Sequence, residues 1–268
     1  MVFFASVSTQ RSGTHLFNSF LDSHPLIKMY GEDSLSEWTY DPDNPEHFYN
    51  FWRQKIISDP LAITNRMMLA SAEEFFKVMV LKKREMRAVG FDIKYDFLES
   101  YPWLESTIRK LAPKIIHLTR RDDLRLYISF FLMRCDDAGV GQGRLQGQLF
   151  TPIERLAPKL VRLDASQNLL NVLGAFRARR DKFAAYLKKN YQTLEISYEE
   201  IIGGQEGEVS RMSRQAQAKV CRFLGVEAPE AGLGTQMKKA NPKDLAQLVE
   251  NLDQVRSFLK GTPFERHG

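Results

Sequence analysis

The sequence predicts an α/β fold in which a central parallel sheet is covered by helices on both faces. Short runs rich in β-branched and aromatic residues alternate with longer segments that carry apolar residues at helical spacing, and this alternation is typical of parallel sheets. The chain has 268 residues, of which 43% are hydrophobic and 26% are charged. That size and composition suit one α/β unit and exclude a disordered chain. We therefore expect a single domain over residues 1–268.

Four strands are predicted along the chain, and the first of them opens it. The apolar start lacks the basic leader and small-residue cleavage site of a signal peptide, so it is interpreted as a buried strand rather than a targeting segment. The other three runs are β-branched and follow helical segments. The predicted strands are residues 2–7, 88–93, 114–119 and 193–197.

Helices are predicted between and after these strands. Residues 14–22 place Phe17, Phe20 and Leu21 on one face, and residues 122–134 follow a strand directly with Asp122 as a cap. The remaining helices are residues 168–189, one that ends at Gly225, and a last one over residues 245–259. In the first of these, the basic cluster Arg177, Arg179, Arg180 and Lys182 is expected to be a solvated face.

Two long loops are candidates for the walls of a substrate site. Residues 31–50 are rich in acidic, proline and aromatic residues, and residues 139–147 contain four glycines. Ligands of open α/β sheets lie where strands end in such loops, so each could be a substrate wall or lid. The alternative for residues 139–147 is an ordinary surface loop.

Charge and cysteine content narrow the class of protein. The formal net charge of +5 would suit an anionic ligand, a nucleic acid or an acidic membrane surface. Cys135 and Cys221 are the two cysteines and form no CxxC or Cys/His cluster, which favours a reducing, cytoplasmic compartment. No stretch is long and apolar enough for a transmembrane helix.

The loop after the first strand, residues 8–16 with the sequence STQRSGTHL, has the features of a phosphate cradle. Small residues at Ser12, Gly13 and Thr14 let backbone N–H groups approach an anion at the positive end of a helix, and Arg11 adds a fixed charge. The alternative is an ordinary turn in which Ser12 or Thr14 caps the helix and Arg11 is solvated.

A nucleotide-kinase P-loop does not fit this segment. Its pattern GxxxxGK[ST] needs a lysine after the second glycine, and Thr14 stands there, while Ser8 stands where the first glycine should be. The strand over residues 114–119 ends in Arg120 and Arg121 rather than in an acidic metal ligand. Arginine in place of lysine and metal suits the transfer of a group less charged than a phosphoryl group.

The loop STQRSGTHLF closely resembles the 5'-phosphosulfate loop of sulfotransferases that use 3'-phosphoadenosine 5'-phosphosulfate (PAPS). Residues 114–129 resemble the second signature of that family, in which Arg120 and Ser129 would grip the 3'-phosphate of the nucleotide. An arginine at a strand end and a hydroxyl about two helical turns later can converge on one group. The alternative is a solvated arginine and a buried helix serine.

Three further segments extend the resemblance, and the first of them is similar to a strand motif of the bacterial branch of the family, which acts on carbohydrates and small molecules. They read VGFDIKYD at residues 89–96, ISYEEII at residues 196–202 and KKANP at residues 238–242. The resemblance implies a P-loop-like three-layer sandwich, with Tyr198 near the adenine and Lys238 near the nucleotide phosphates. It also implies that His15 belongs to the nucleotide site. The alternatives are a core aromatic for Tyr198, a solvated basic face for Lys238 and an exposed helix side chain for His15.

The reaction that the resemblance implies is in-line transfer of the sulfuryl group of PAPS to a hydroxyl or amine, without a metal. Arg11 would stabilise the leaving phosphate. Gly31 and Glu32 resemble the Gly-Glu pair that supplies acceptor contacts or the general base, which makes Glu32 the predicted base and leaves His15 and Asp92 as rivals. The predicted acceptor is a small molecule or a carbohydrate, and neither its identity nor the oligomeric state is readable from the sequence.

Two other functions remain as alternatives at this stage. A nucleotide kinase or related phosphotransferase would bind ATP with a metal. A non-catalytic nucleic-acid binder would use the basic surface together with aromatic platforms, which the sequence does not organise clearly. Nucleic acid is therefore not expected as a partner.

Overall fold

The computed structural model describes residues 1–36, 41–59, 64–139, 161–206, 209–237 and 245–267. Its contacts group into two compact units. The first, called the sheet unit here, comprises residues 1–119 and 183–237, and the second, the helical unit, comprises residues 120–182 and 238–268. This grouping reports contact density and not independent folding, so the single domain over residues 1–268 stays a prediction.

A five-stranded parallel sheet forms the centre of the sheet unit, which confirms the predicted α/β class. The strand order is β2-β3-β1-β4-β5, and every neighbouring pair is parallel. The first strand therefore lies in the middle, between two strands that come much later in the chain. The strands are β1 (Val2–Ser8), β2 (Ile27–Tyr30), β3 (Ala88–Lys94), β4 (Lys114–Thr119) and β5 (Thr193–Ser197).

Ten α-helices are present in the described part of the chain. Their bounds are α1 (Thr14–Asp22), α2 (Phe48–Ser58), α3 (Asn65–Leu81), α4 (Tyr95–Ser100), α5 (Pro102–Leu111), α6 (Asp123–Gly139), α7 (Gln167–Asn190), α8 (Tyr198–Ile201), α9 (Arg214–Leu224) and α10 (Leu252–Leu259). Short 3₁₀ turns cover Glu32–Ser34, Leu245–Gln247 and Glu265–His267. Three short antiparallel strands, β6 (Ile202–Glu206), β7 (Val209–Met212) and β8 (Gly234–Thr235), form a second sheet. None of the described helices is long and apolar enough to cross a membrane.

Apolar side chains on both faces of the parallel sheet produce three layers, because successive residues of a strand point to opposite faces. Ala5 and Val7 of β1 belong to a core with side chains of α3, α4 and α5. Phe4 of the same strand belongs to a second core with α1 and α9, where Phe17 and Phe20 are almost completely buried. The carboxyl ends of the strands remain as the edge from which loops leave.

The helical unit has its own apolar core, built from α6, the first part of α7, α10 and the turn before α10. The last predicted helix, residues 245–259, is wrong as one element, although its apolar residues are buried. Val161 pairs with Val249 in a short bridge, and Asn251 hydrogen-bonds both backbone groups of Leu163. These contacts hold the backbone out of helical geometry before α10 begins.

The basic cluster on α7 is not a solvated face throughout, which corrects a second expectation. Arg180 donates to Asp123 at 2.6 Å and Arg177 donates to it at 3.1 Å, and the Asp123 side chain is fully buried. Arg180 also donates to the backbone carbonyl of Arg120 at 2.8 Å. A buried carboxylate requires such partners, so the cluster holds the start of α6 in place.

The predicted strands and the first helix agree with the structure to within one residue. The helix over residues 122–134 is the longer α6, and Asp122 caps it through the backbone N–H of Arg125 at 2.8 Å. Gly225 ends α9 with a left-handed φ of 71°. The prediction missed β2, whose four residues include a lysine and are too few to show a period.

Candidate functional site

The loop between β1 and α1 leaves the carboxyl edge of the sheet and has an unusual backbone. Arg11 has a φ of 65° and Gly13 a φ of 86°, both in the left-handed region. Glycine adopts this region freely, whereas an arginine there costs on the order of 1–2 kcal/mol. A strained non-glycine residue in a loop that also carries a fixed charge points to a functional site.

The first N–H groups of α1 carry no side-chain cap. The N-cap residue is Gly13, which has no side chain, and α1 has no side-chain hydrogen bond that caps its N-terminus. The Ser12 hydroxyl is completely buried and has no hydrogen-bond partner among the described residues, and the Thr14 hydroxyl accepts from Lys94 at 2.7 Å. The alternative of a turn capped by Ser12 or Thr14 is therefore wrong. Uncapped N–H groups and a buried, unpartnered hydroxyl are suited to an anion.

Tyr198 packs directly on this loop. The position that a Cβ of residue 13 would occupy lies far inside van der Waals contact of the Cδ2 and Cε2 atoms of the Tyr198 ring. Tyr198 follows β5 and is buried. Glycine at position 13 is thus required twice, by its φ and by the aromatic ring above it. The structure brings Tyr198 to the loop, and its contact with adenine stays a prediction.

A buried lysine from β3 joins the loop to two carboxylates. The Lys94 side chain is 1% exposed, and its Nζ lies 2.7 Å from Thr14 Oγ1, 2.9 Å from Asp92 Oδ2 and 3.1 Å from Glu32 Oε2. Burial opposes its charge, but Asp92 and Glu32 outweigh that and raise the pKa of Lys94. The ammonium is therefore charged and immobilised beneath the loop.

Replacing Lys94 by methionine is expected to lower the free energy of unfolding by about 3–5 kcal/mol, because Asp92 would remain buried without its cation. Urea denaturation measures this. Lys110→Met is the matched control, since Lys110 is 67% exposed and pairs with Glu73 at 2.7 Å, and it should cost under about 1 kcal/mol. Changing Asp92 to asparagine in the Lys94→Met background should restore much of the loss. Equal effects of Lys94→Met and Lys110→Met would contradict the assignment.

Glu32, the predicted base, forms two ion pairs at the rim of the loop. Its Oε1 lies 3.5 Å from His15 Nε2 and its Oε2 lies 3.1 Å from Lys94 Nζ. Burial alone would raise the pKa of Glu32, but the hydrogen bond to His15 and the charge of Lys94 lower it to about 2. Such a carboxylate is a weak proton acceptor at neutral pH.

The charges of this cluster also act on His15 and Arg11. The hydrogen bond to Glu32 raises the pKa of His15, against an opposing effect of burial, and the His15 side chain is 46% exposed. Burial lowers the pKa of Arg11, which the Glu32 carboxylate partly offsets. Arginine nevertheless stays charged.

Asp92, the other rival for the base, lies below the surface. It is completely buried and accepts from Asn18 Nδ2 at 2.9 Å as well as from Lys94. Its Oδ1 and the Ser6 and Ser8 hydroxyls have no partner among the described residues. Asp92 therefore acts as a counter-ion of Lys94 in the layer between the sheet and α1. An acceptor substrate cannot reach Asp92 unless the surrounding side chains move.

The other predicted site residues belong to the helical unit or lie outside the described residues. Arg120 directly follows β4 and Ser129 lies within α6, and both are buried. Lys238 lies outside the described residues, as do residues 140–147 of the glycine-rich loop, so their roles stay predictions. In the described ranges no group of three or more His, Cys, Asp or Glu side chains could hold a metal ion.

Lys94 is the site residue that the sequence reasoning missed. Its strand was recognised, and register places it beside Ser8, the last residue of β1. A charged residue at the carboxyl end of a strand that neighbours the loop strand is the signal that could have identified it. That neighbour relation depends on the strand order, which the sequence does not show.

Comparison with known proteins gives a distant structural likeness. No family model matches the chain, and no curated protein matches it. Among solved structures, the crystal structure of a sulfotransferase from Alicyclobacillus acidocaldarius is similar, with a TM-score of 0.43 and 17% sequence identity over 97% of this chain and 93% of that chain. Because such a likeness does not establish a family, the function has to be inferred from the site itself.

Proposed function

We propose that the protein is a sulfotransferase that moves the sulfuryl group of PAPS to a hydroxyl or amine of a small-molecule or carbohydrate acceptor. The observation that carries this proposal is the loop after β1, where a strained Arg11, the uncapped start of α1 and the buried Ser12 hydroxyl share one short segment. The loop fits a phosphate ester because a fixed positive charge, an uncapped helix start and a buried hydroxyl without a partner among the described residues are suited to bind an anion.

The loop residues would act mainly on the leaving group. When bound, PAPS supplies a sulfuryl group whose bond to the 5'-phosphate oxygen breaks as the acceptor oxygen bonds to sulfur, and the electron pair stays on the phosphate. Arg11 and the N–H groups of Gly13 and Thr14 would stabilise that growing charge, so they would bind the transition state more strongly than the ground state. The backbone of the loop is fixed by Tyr198 and Lys94, so these donors need little reorganisation.

The remaining assignments are part of the same proposal. Arg120 and Ser129 are proposed to bind the 3'-phosphate, Tyr198 to contact the adenine, and Lys238 to approach the phosphates. The roles of Arg120 and Ser129 are supported by the sequence signature of residues 114–129 and by an arginine's ability to bind phosphate through two hydrogen bonds. The roles of Tyr198 and Lys238 are supported by the resemblance of residues 196–202 and 238–242. The proton of the acceptor must pass to a base, for which Glu32 is the sequence-based candidate.

Isothermal titration calorimetry with adenosine 3',5'-bisphosphate in EDTA tests the proposal. We expect one molecule to bind per chain without metal, and adenosine 5'-monophosphate to bind at least tenfold more weakly because it lacks the 3'-phosphate. Arg120→Ala should remove that difference, whereas Arg162→Ala, which changes an arginine that is 68% exposed, should keep it. Release of the bisphosphate from PAPS in the presence of sugar or phenol acceptors would then show transfer.

Other results would favour the alternative functions. Magnesium-dependent binding of ATP with no binding of the bisphosphate would indicate a phosphotransferase. Binding of single-stranded oligonucleotides with a steep salt dependence, again without bisphosphate binding, would indicate a nucleic-acid binder. Either result would overturn the sulfotransferase proposal.

A further inference from the structure

The charges of the groups around the loop between β1 and α1 cancel when His15 is neutral. The protonation state of His15 therefore sets the net charge of this cluster. Among the described residues that the ion pairs and charge interactions around this loop connect, the permanent cations are Arg11 and Lys94, and the carboxylates are Glu32 and Asp92. The groups that act on His15 are Glu32, Lys94 and Asp92. With a neutral His15 the cluster has no net charge, and with a protonated His15 it carries one positive charge. An anionic ligand is attracted by the second state.

Glu32 is fixed in a position that serves His15. Lys94 holds Glu32 Oε2 at 3.1 Å while Glu32 Oε1 faces His15 Nε2 at 3.5 Å. Lys94 is itself fixed by Thr14 and Asp92 and is 1% exposed. The Glu32 carboxylate therefore cannot turn toward an acceptor without leaving two cations, and its pKa of about 2 makes it a weak base.

His15 lies in the first turn of α1, where a cation is normally unfavourable. The backbone dipoles of a helix make its N-terminus positive, so a protonated side chain there is stabilised only by an adjacent anion. Glu32 supplies that anion in the protein itself. A bound phosphate at the same helix terminus would supply a second one, beside the buried Ser12 hydroxyl that has no partner among the described residues.

We propose that Glu32 is the counter-ion that keeps His15 protonated, and that the His15 imidazolium binds the anionic group of the nucleotide held by the loop. This inference rests on the proposed function for the identity of the ligand. Glu32 and Lys94 are positioning residues in this arrangement, and His15 is a binding residue. This role of Glu32 would replace the one that the sequence predicts for it, the general base of the transfer.

The test is the affinity for adenosine 3',5'-bisphosphate measured by calorimetry between pH 6 and pH 9 in the intact protein and in His15→Asn. Titration of the ligand's own phosphates affects both proteins equally, so its effect cancels in the ratio of the two affinities at each pH. We expect the intact protein to bind about tenfold more tightly at pH 6 and the ratio to approach one at pH 9. The sign follows from linkage, because an anion favours the protonated imidazole and this advantage is lost as pH rises through the His15 pKa.

Two further variants examine the roles of charge and of Glu32. His15→Lys carries a charge through this pH range and should keep the tighter binding at pH 9. Glu32→Gln removes the counter-ion, so the His15 pKa, read from its imidazole resonance in NMR spectra of the unliganded protein, should fall by about one unit. Glu250→Gln changes a carboxylate that is 57% exposed and paired with Arg162, and it should leave the His15 pKa unchanged.

Failure of the inference differs from failure of the proposed function. A ratio that does not change with pH, or a His15 pKa that is the same in Glu32→Gln, would overturn the role of His15 and Glu32 while bisphosphate binding persists. Loss of sulfuryl transfer in Glu32→Gln with an unchanged His15 pKa would return Glu32 to the role of base. An intact protein that binds no bisphosphate at any pH would overturn the sulfotransferase proposal itself.

Discussion

Replacing Arg11 by alanine is expected to weaken the binding of adenosine 3',5'-bisphosphate at least 100-fold and to abolish sulfuryl transfer. Truncating a partly buried charge that binds an anion costs about 2–5 kcal/mol, and 100-fold corresponds to about 2.8 kcal/mol. Arg11 is half-buried in the loop and is held in a left-handed backbone conformation, so a neighbouring side chain cannot easily take its place. Calorimetry at pH 7 in EDTA measures the change.

Arg11→Gly separates this binding effect from any effect on folding. Glycine removes the same charge but accepts a φ of 65° without strain, so the free energy of unfolding should stay the same or rise by up to about 1 kcal/mol. Arg109→Ala is the matched control, because Arg109 is 59% exposed and pairs with Glu105. Bisphosphate binding by Arg11→Gly at the affinity of Arg109→Ala would rule out the proposed role of Arg11.

Gly13→Ala is expected to give the second largest effect, a loss of about 3 kcal/mol in the free energy of unfolding together with loss of bisphosphate binding. Part of the loss comes from a left-handed φ of 86° and part from overlap of the new methyl group with the Tyr198 ring. Left-handed strain accounts for about 1 kcal/mol, and overpacking against a buried ring for about 2 kcal/mol. Urea denaturation and calorimetry measure the two quantities.

Gly225→Ala isolates the effect of the aromatic ring. Gly225 has a φ of 71°, yet a Cβ there would meet no described atom within 4 Å, so this variant should lose only about 1 kcal/mol. Removing the ring with Tyr198→Ala should make the further change at Gly13 less costly, which a double-mutant cycle would show as a coupling energy. Equal losses in Gly13→Ala and Gly225→Ala would mean that Tyr198 does not restrain the loop.

The parts of the fold that the sequence predicted are those with a strong local signal. β1, β4 and β5 are apolar and β-branched, and α1 has a clear apolar face, so period and composition were sufficient. The loop over residues 8–16 was identified because small residues, a glycine and an arginine occur together between a strand and a helix. A signal of this kind is contained within a few consecutive residues.

The parts that it did not predict depend on partners far away in the chain. The role of Lys94 requires that β3 lie next to β1, a pairing between residues about 86 apart. The break before α10 requires Val161 and Leu163, about 88 residues upstream. The buried position of Asp123 needs two arginines of α7. No local period reports such contacts, which explains why the chemistry of the loop was visible in the sequence and the charges that surround it were not.

Because β1 lies in the middle of the sheet, it can pair on both sides only after two later strands have been synthesised. β1 pairs with β3 and β4, which begin at residues 88 and 114 and are synthesised after it. At translation rates of roughly 5–20 residues per second, β1 waits on the order of 10 s for its second neighbour. During that interval the backbone N–H and C=O groups of this apolar strand lack some of their sheet partners, so the nascent chain is open to misassembly or to binding by a chaperone. The loop over residues 8–16 therefore takes shape only after β4 has been synthesised up to residue 119, well after the loop's own residues.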